Sequence, residues 1–140
     1  MDFTQLIQPG MTREETFTVE ERHLAPHVGS GAARVLATPW MIGFMEGTSH
    51  RLIAQVLPEG YSSVGSLVNV RHLAPTPAGA TVRVRSEVLA VEGSRVTLHI
   101  QAWDTVEQVG EGTHERFIIE VARFLKRVTQ KSNPQAEDHL

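Results

Sequence analysis

Cysteine is absent from the 140 residues. That excludes disulfides, a thiol nucleophile and a thiolate-held metal, and it suits a reducing compartment. Long apolar runs are missing too: no segment approaches the roughly 20 apolar residues needed to cross a bilayer. The opening M-D-F-T-Q-L-I-Q-P-G has neither the basic start nor the apolar stretch of a secretory signal. A cytoplasmic protein is therefore expected. Positive charge is in short supply, with 13 Lys and Arg against 16 Asp and Glu, a net charge of −3 and a pI near 6.1. The basic residues are scattered rather than gathered into a stripe, so no nucleic-acid partner is expected. Aromatic residues make up only 6% of the chain, but the 41% apolar fraction suffices for one aliphatic core at this length. One domain is expected over residues 1–140, with a polar, Pro134-containing tail from about Thr129 to Leu140.

What is present is patterned. From Glu15 to Glu21 the chain alternates, with Phe17 and Val19 on one face, and reads as a short strand. From His23 to Ala37 it carries Pro26, Gly29, Ser30, Gly31 and Ala32, which favour a mobile loop. Thr38 followed by Pro39 is a helix start: Thr can cap the free N–H groups, and Pro has none to leave unsatisfied. The spacing predicts a helix from Pro39 to about Leu57, apolar nearly all round in its first half and stopped by Pro58 and Gly60. Four strand-like segments follow at 63–73, 80–91, 95–105 and 109–121. Val82, Val84, Ser86 and Val88 share one face of the second, and Val96, Leu98, Ile100 and Ala102 share one face of the third. E-G-S at 92–94 joins them as a tight hairpin. One strand, a buried helix and four antiparallel strands satisfy their burial patterns as a curved sheet wrapped around a central helix, an α+β hot dog arrangement.

Chemistry concentrates on a few residues. Glu46 follows Ile42, Phe44 and Met45 in the apolar half of the helix, where a carboxylate is costly unless paired. It either looks toward a solvent-facing edge or sits at an interface, where partial burial suits a base or nucleophile. Gly43 and Gly47 flank it, each costing about 1 kcal/mol in a helix relative to Ala, so close approach by a ligand or partner chain is a reason for them. Alternation places His72 with Val68 and Val70, which fits a hydrogen-bonded core histidine or an imidazole that moves protons near neutral pH. Thr38 is accounted for by capping alone, yet its hydroxyl also lies where helix N–H groups favour developing negative charge. Gly65 is either a turn residue or a point of close backbone approach. Glu46 and His50 share a helix face, but no third ligand has metal-site spacing, so no metal is expected. Within G-T-H-E-R at 112–116, His114 reads as structural and Arg116 as a candidate contact.

In combination these runs resemble one family. A Thr before the helix, G-F-M-E within it, V-G-S-L, H-L-A-P-T-P-A-G, V-E-G and G-T-H-E-R, spread from about Arg34 to Arg127, are similar to the hot dog-fold acyl-CoA thioesterases related to fluoroacetyl-CoA thioesterase. The resemblance implies hydrolysis of a small or medium acyl-CoA. It puts Thr38, Glu46 and His72 at the catalytic positions, with Glu46 as nucleophile or base, and Gly65 and Arg116 at substrate-contacting ones. It also implies a site at a homodimer interface, with a tetramer as the alternative, and no cofactor, since coenzyme A belongs to the substrate. The chain departs from the pattern ahead of the Thr, where V-G-S-G-A-A-R-V-L has no Phe to form the family's aromatic lid. The pocket that reads the acyl group is therefore expected to differ. A non-catalytic acyl-CoA binder is the alternative. An enoyl-CoA hydratase is disfavoured because no paired Asp and His occupy one helix segment.

Overall fold

The computed structural model describes residues 2–133. Five strands, β1 (Thr12–Thr18), β2 (Tyr61–His72), β3 (Thr81–Glu92), β4 (Arg95–Trp103) and β5 (Gln108–Glu120), form one antiparallel sheet in the order β1-β3-β4-β5-β2. A one-turn helix α1 (Ala25–Val28) precedes the long helix α2 (Thr38–Ala54), and α3 (Val121–Ser132) follows β5. This is the expected hot dog arrangement, with α2 lying across the concave face of the sheet. No helix among the described residues is long and apolar enough to cross a membrane.

The alternation read from β3 and β4 is the one observed: Val82, Val84, Ser86 and Val88 are buried, as are Val96, Leu98, Ile100 and Ala102. Against them α2 sets Met41, Phe44, Met45, Thr48, Ser49, Leu52 and Ile53, an i, i+3, i+4 stripe. The seat is close at β5, where a Cβ on Gly110 would run into Met41 Sδ and Met45 Cε. The core divides into two apolar clusters along α2, one around Met41, Phe44 and Met45, the other around Leu52 and Ile53. Midway, Ser49 and Ser86 share a buried hydrogen bond of 2.8 Å.

Several expectations change. The helix is not buried on most sides: a stripe of Pro39, Gly43, Glu46, Gly47 and His50 stays uncovered, because one sheet covers only one side of a helix. The helix also ends at Ala54 rather than Leu57. The first strand begins and ends earlier than expected, turning Arg13, Glu15 and Phe17 toward the helix side. The segment 23–37 is clamped at its two ends, while residues 26–34 between them are exposed. Ala25 N–H bonds to Val35 O at 2.9 Å, Leu36 N–H to Thr76 O at 2.8 Å and Ala37 N–H to His23 O at 2.8 Å, while Leu24, Ala25, Leu36 and Ala37 are buried. Residues Thr129–Ser132, expected in a frayed tail, continue α3, whose apolar residues are all at least partly exposed; residues 134–140 lie outside the described residues.

Glu15 ties β1 to α2. Its carboxylate accepts from Arg51 Nε at 2.7 Å, Arg51 Nη2 at 2.8 Å, Thr48 Oγ1 at 2.7 Å and Arg13 Nε at 2.9 Å. Bonding to Arg51 above all pulls its pKa from the ordinary 4.5 to about 2, against the opposing effect of burial. A depressed carboxylate pKa stabilises the fold above pH 4.5, and that stabilisation is lost as pH falls toward 2. Arg51 is 44% exposed and screened by solvent, so Glu15→Gln is expected to cost about 1–2 kcal/mol at pH 7. Thermal unfolding across pH 2 to 7 checks this: the wild-type curve should drop below pH 4.5 more steeply than that of the variant, and parallel curves would refute the clamp.

Candidate active site

Thr38 is not the helix cap. That position is held by Ala37, with extended backbone (φ −69°, ψ 139°), and its carbonyl accepts from Trp40 N–H at 3.0 Å and Met41 N–H at 3.1 Å. Helical bonding begins one residue earlier than the sequence suggested, so Thr38 is already in the first turn and its hydroxyl is free for another partner. That partner is His72, at 2.8 Å between Oγ1 and Nδ1. Burial lowers the His72 pKa below its ordinary 6.5, which favours the neutral imidazole. Its Nε2 is buried with no hydrogen-bond partner among the described residues. A neutral ring bonded through Nδ1 leaves Nε2 as a proton donor when the Thr hydroxyl donates, or as a base when it accepts.

Glu46 belongs to a second group. It lies on the uncovered stripe of α2, its side chain 44% exposed, with Arg116 Nη1 at 3.6 Å from Oε2. Arg116 is 5% exposed and rigidly held: Nε donates to Ser63 Oγ at 2.8 Å, Nη2 to Ser63 O at 2.9 Å and Nη1 to His114 Nε2 at 3.3 Å. His114, fully buried, bonds through Nδ1 to Leu67 O at 2.8 Å. A carbonyl only accepts, so the proton sits on Nδ1 and Nε2 takes the Arg116 proton. Burial, aided by Arg116, keeps that ring neutral. His114 is thus structural, as read, and Arg116 is the fixed cation beside Glu46. Gly65 completes the group, since a Cβ there would overlap Glu46 Oε2. Gly43, Glu46, Gly47, His50 and Arg116 line a shallow cleft of about 320 Å³. His50 takes no metal partners here: no cluster of three or more metal-ligating side chains exists among the described residues.

One backbone irregularity puts both groups on the helix side. Gly65 and His72 are an odd number of positions apart, so in a regular strand they would face opposite ways. The pairing of β2 with β5 shifts between Gly65 and Leu67, leaving Ser66 as a bulge that reverses the alternation. Ser63 and Gly65 face α2 before it, and Val70 and His72 after it. Sequence reading missed Ser66 and the Arg116 holder Ser63; the odd spacing between two inward candidates was the available signal. The two groups remain apart in one protomer, because Thr38 and Glu46 are separated by about 12 Å along the helix axis at 1.5 Å per residue.

A curved antiparallel sheet around one long helix is the hot dog fold, and its likeness to known proteins puts this chain in the thioesterase class of that fold. Residues 19–122 match the family described as fluoroacetyl-CoA-specific thioesterase. Over 113 residues the chain is 41% identical to the fluoroacetyl-CoA thioesterase of Streptantibioticus cattleyicolor, covering 79% of this chain and 81% of the relative. Among solved structures, a threonine-to-alanine variant of fluoroacetyl-CoA thioesterase bound to fluoroacetate superposes with a TM-score of 0.85 at 34% identity, covering 89% of this chain and 98% of that one. A hot-dog-like protein from Thermanaerovibrio acidaminovorans gives 0.86 at 29% identity, covering 94% and 97%. The chain belongs to the fluoroacetyl-CoA-specific thioesterase family.

The geometry of His72 predicts its titration. Protonation of a group whose folded pKa is depressed is opposed by the fold, so at pH 6.5 the His72 ring is expected to be mostly neutral, with stability lost as pH falls further. A site-resolved NMR titration of the imidazole nitrogens checks it; a His72 midpoint at or above 6.5 would contradict the buried setting.

Proposed function

We propose that this chain hydrolyses the thioester of a small or medium acyl-CoA, giving the free acid and coenzyme A, at a site completed by two copies of the chain. The observation that carries this reading is the division of the machinery: Glu46 beside Arg116 and Gly65 on the uncovered side of α2, and Thr38 with His72 about 12 Å away along the helix. The face of α2 that bears Glu46 is open, and β2 is an edge strand whose Leu67 and Val68 are 43% and 41% exposed. An apolar, unpaired strand edge beside an uncovered helix stripe suits pairing with a second copy. A homodimer is the minimum assembly this needs; a tetramer would add contacts elsewhere.

In this mechanism Glu46 either attacks the thioester carbonyl or takes a proton from the attacking water. Where Glu46 attacks, the carbon–sulfur bond breaks and water then cleaves the acyl–Glu46 anhydride. Where water attacks, its oxygen joins the acyl carbon as the carbon–sulfur bond breaks. In both, the thiolate takes a proton that originates from water and is relayed through His72 Nε2. Thr38 fixes the imidazole through Nδ1. Gly65 and Arg116 meet the thioester: Gly65 leaves room for the carboxylate and carbonyl together, and Arg116 steadies the negative charge. These steps need no cofactor, since coenzyme A enters as part of the substrate. We place the reaction in the cytoplasm, in keeping with a chain free of cysteine.

Thiol release from a panel of acyl-CoAs tests the reading. Glu46→Gln is expected to lower kcat by about 100-fold or more, the usual size of a lost acid–base or nucleophilic role. Ligand binding with no turnover above that variant would instead identify a non-catalytic acyl-CoA binder. Co-expression of Glu46→Gln with His72→Ala tests the shared site. If each site draws Glu46 from one copy and His72 from the other, random pairing leaves roughly a quarter of sites intact and restores about that fraction of activity. No restoration would assign all three residues to a single protomer.

A further inference from the structure

Beside the Thr38–His72 pair lies a cavity of about 420 Å³, open to solvent on one side, whose character is unlike that of the Glu46 cleft. Its walls are small and aliphatic, chiefly Ala25, Ala32, Ala33, Val35, Leu73 and Ala74, with no aromatic or charged residue among the lining groups. Ser30, Thr38 and His72 are the only polar side chains on it. Its wall is anchored where 25 pairs with 35 and where Leu36 is held by Thr76.

We propose that this cavity receives the acyl chain, and that it selects an aliphatic acyl group of about four to eight carbons over a two-carbon one, with Ala32 and Ala33 setting the length. The inference rests on the thioesterase reading and names its substrate class. Three observations lead to it. Thr38 and His72 form part of the cavity wall, so a chain lying inside it presents its carbonyl to them. The lining offers the two amides and the hydroxyl of a pantetheine arm few side-chain partners, because Ser30 is the sole polar side chain beyond the reacting pair. The size is the third: a methylene occupies about the volume share of a water, roughly 30 Å³, so a two-carbon acyl group leaves most of the cavity empty whereas six to eight carbons fill about half of it.

Each methylene that enters an apolar pocket is expected to raise kcat/KM by about two- to fourfold until the cavity is filled. The experiment measures kcat/KM for acetyl-, butanoyl-, hexanoyl-, octanoyl- and dodecanoyl-CoA with the wild type, Ala32→Phe and Ala33→Phe. The expected result is a wild-type rise from acetyl to hexanoyl or octanoyl followed by a fall at dodecanoyl. The octanoyl-to-butanoyl ratio should drop about tenfold or more in at least one Phe variant. A ratio within one variant is insensitive to its folded fraction, so a merely destabilised protein leaves it unchanged. Turnover that is flat with length, or greatest on acetyl-CoA, or a ratio unmoved in both variants, would overturn the length assignment and leave the thioesterase reading standing. No thiol release from any substrate would overturn both.

Discussion

A single sheet can cover only one side of a helix, and the rest of this structure is arranged around that limit. Helix α2 gives its apolar stripe, Met41 through Ile53, to the sheet. What remains on the other side is a line of small and polar residues, Gly43, Glu46, Gly47 and His50. In the protomer Gly43 has no tight neighbour, since a Cβ there would meet nothing closer than Trp40 at 4.0 Å. Gly47 leaves room for the Arg51 guanidinium, which a Cβ there would crowd at 2.8 Å, but packing within one copy gives no such reason for Gly43, whose cost of about 1 kcal/mol suits close approach by something from outside. The same side is flanked by the unpaired edge of β2.

Electrostatics at the carboxylate follow from burial of its partner rather than of Glu46 itself. Arg116 points inward, and a buried guanidinium needs its N–H groups satisfied. Ser63 takes two and His114 takes a third, the latter only because the Leu67 carbonyl commits the His114 proton to Nδ1. A chain of neutral acceptors thus fixes the cation, and Glu46 is the carboxylate it meets at 3.6 Å. Replacing His114 by a residue unable to accept would leave Arg116 Nη1 without this acceptor, although His114 does not line the cleft. Positioning in this site is exerted from beneath the sheet surface, by residues that read as core in the sequence.

Much of this was legible in the chain before its fold was known. The regular alternation in β3 and β4, the Gly93 hairpin and the Thr-Pro helix start specify the sheet and the helix because each is a local signal that tertiary packing reinforces. Glu46 was legible as an anomaly, a carboxylate among Ile42, Phe44 and Met45. Thr38 was legible for the wrong reason: its residue type suits a cap, but the carbonyl of Ala37 begins the helix, and which of two adjacent residues starts a helix is decided by packing around it. The Ser66 bulge left a trace only in the odd spacing of Gly65 and His72, which has meaning once both are known to face inward. Helix α3 was missed although Val121, Phe124, Leu125 and Val128 stand at i, i+3, i+4 and i+7, an amphipathic pattern that was available in the sequence; only Thr129–Ser132 of it fell in the expected tail, and its apolar residues stay at least partly exposed in the protomer.

Placing the aliphatic cavity at the Thr–His pair and the carboxylate elsewhere separates two tasks that a compact site would entangle. Glu46, Gly65 and Arg116 are fixed by helix, strand and a buried hydrogen-bond network, and a change of one methyl among them disturbs the others, as the overlap of a Gly65 Cβ with Glu46 makes plain. The cavity wall at Ala32 and Ala33 is exposed loop, and its backbone needs no positive φ at either alanine. Larger side chains can enter there at little cost in fold stability, since substitutions away from core, caps and strained positions usually cost little. The cavity wall can therefore change through the loop while Glu46, Gly65 and Arg116 keep their geometry. The absence of aromatic residues from residues 28–36 then bears on the cavity wall and leaves the Glu46, Gly65 and Arg116 group as it is.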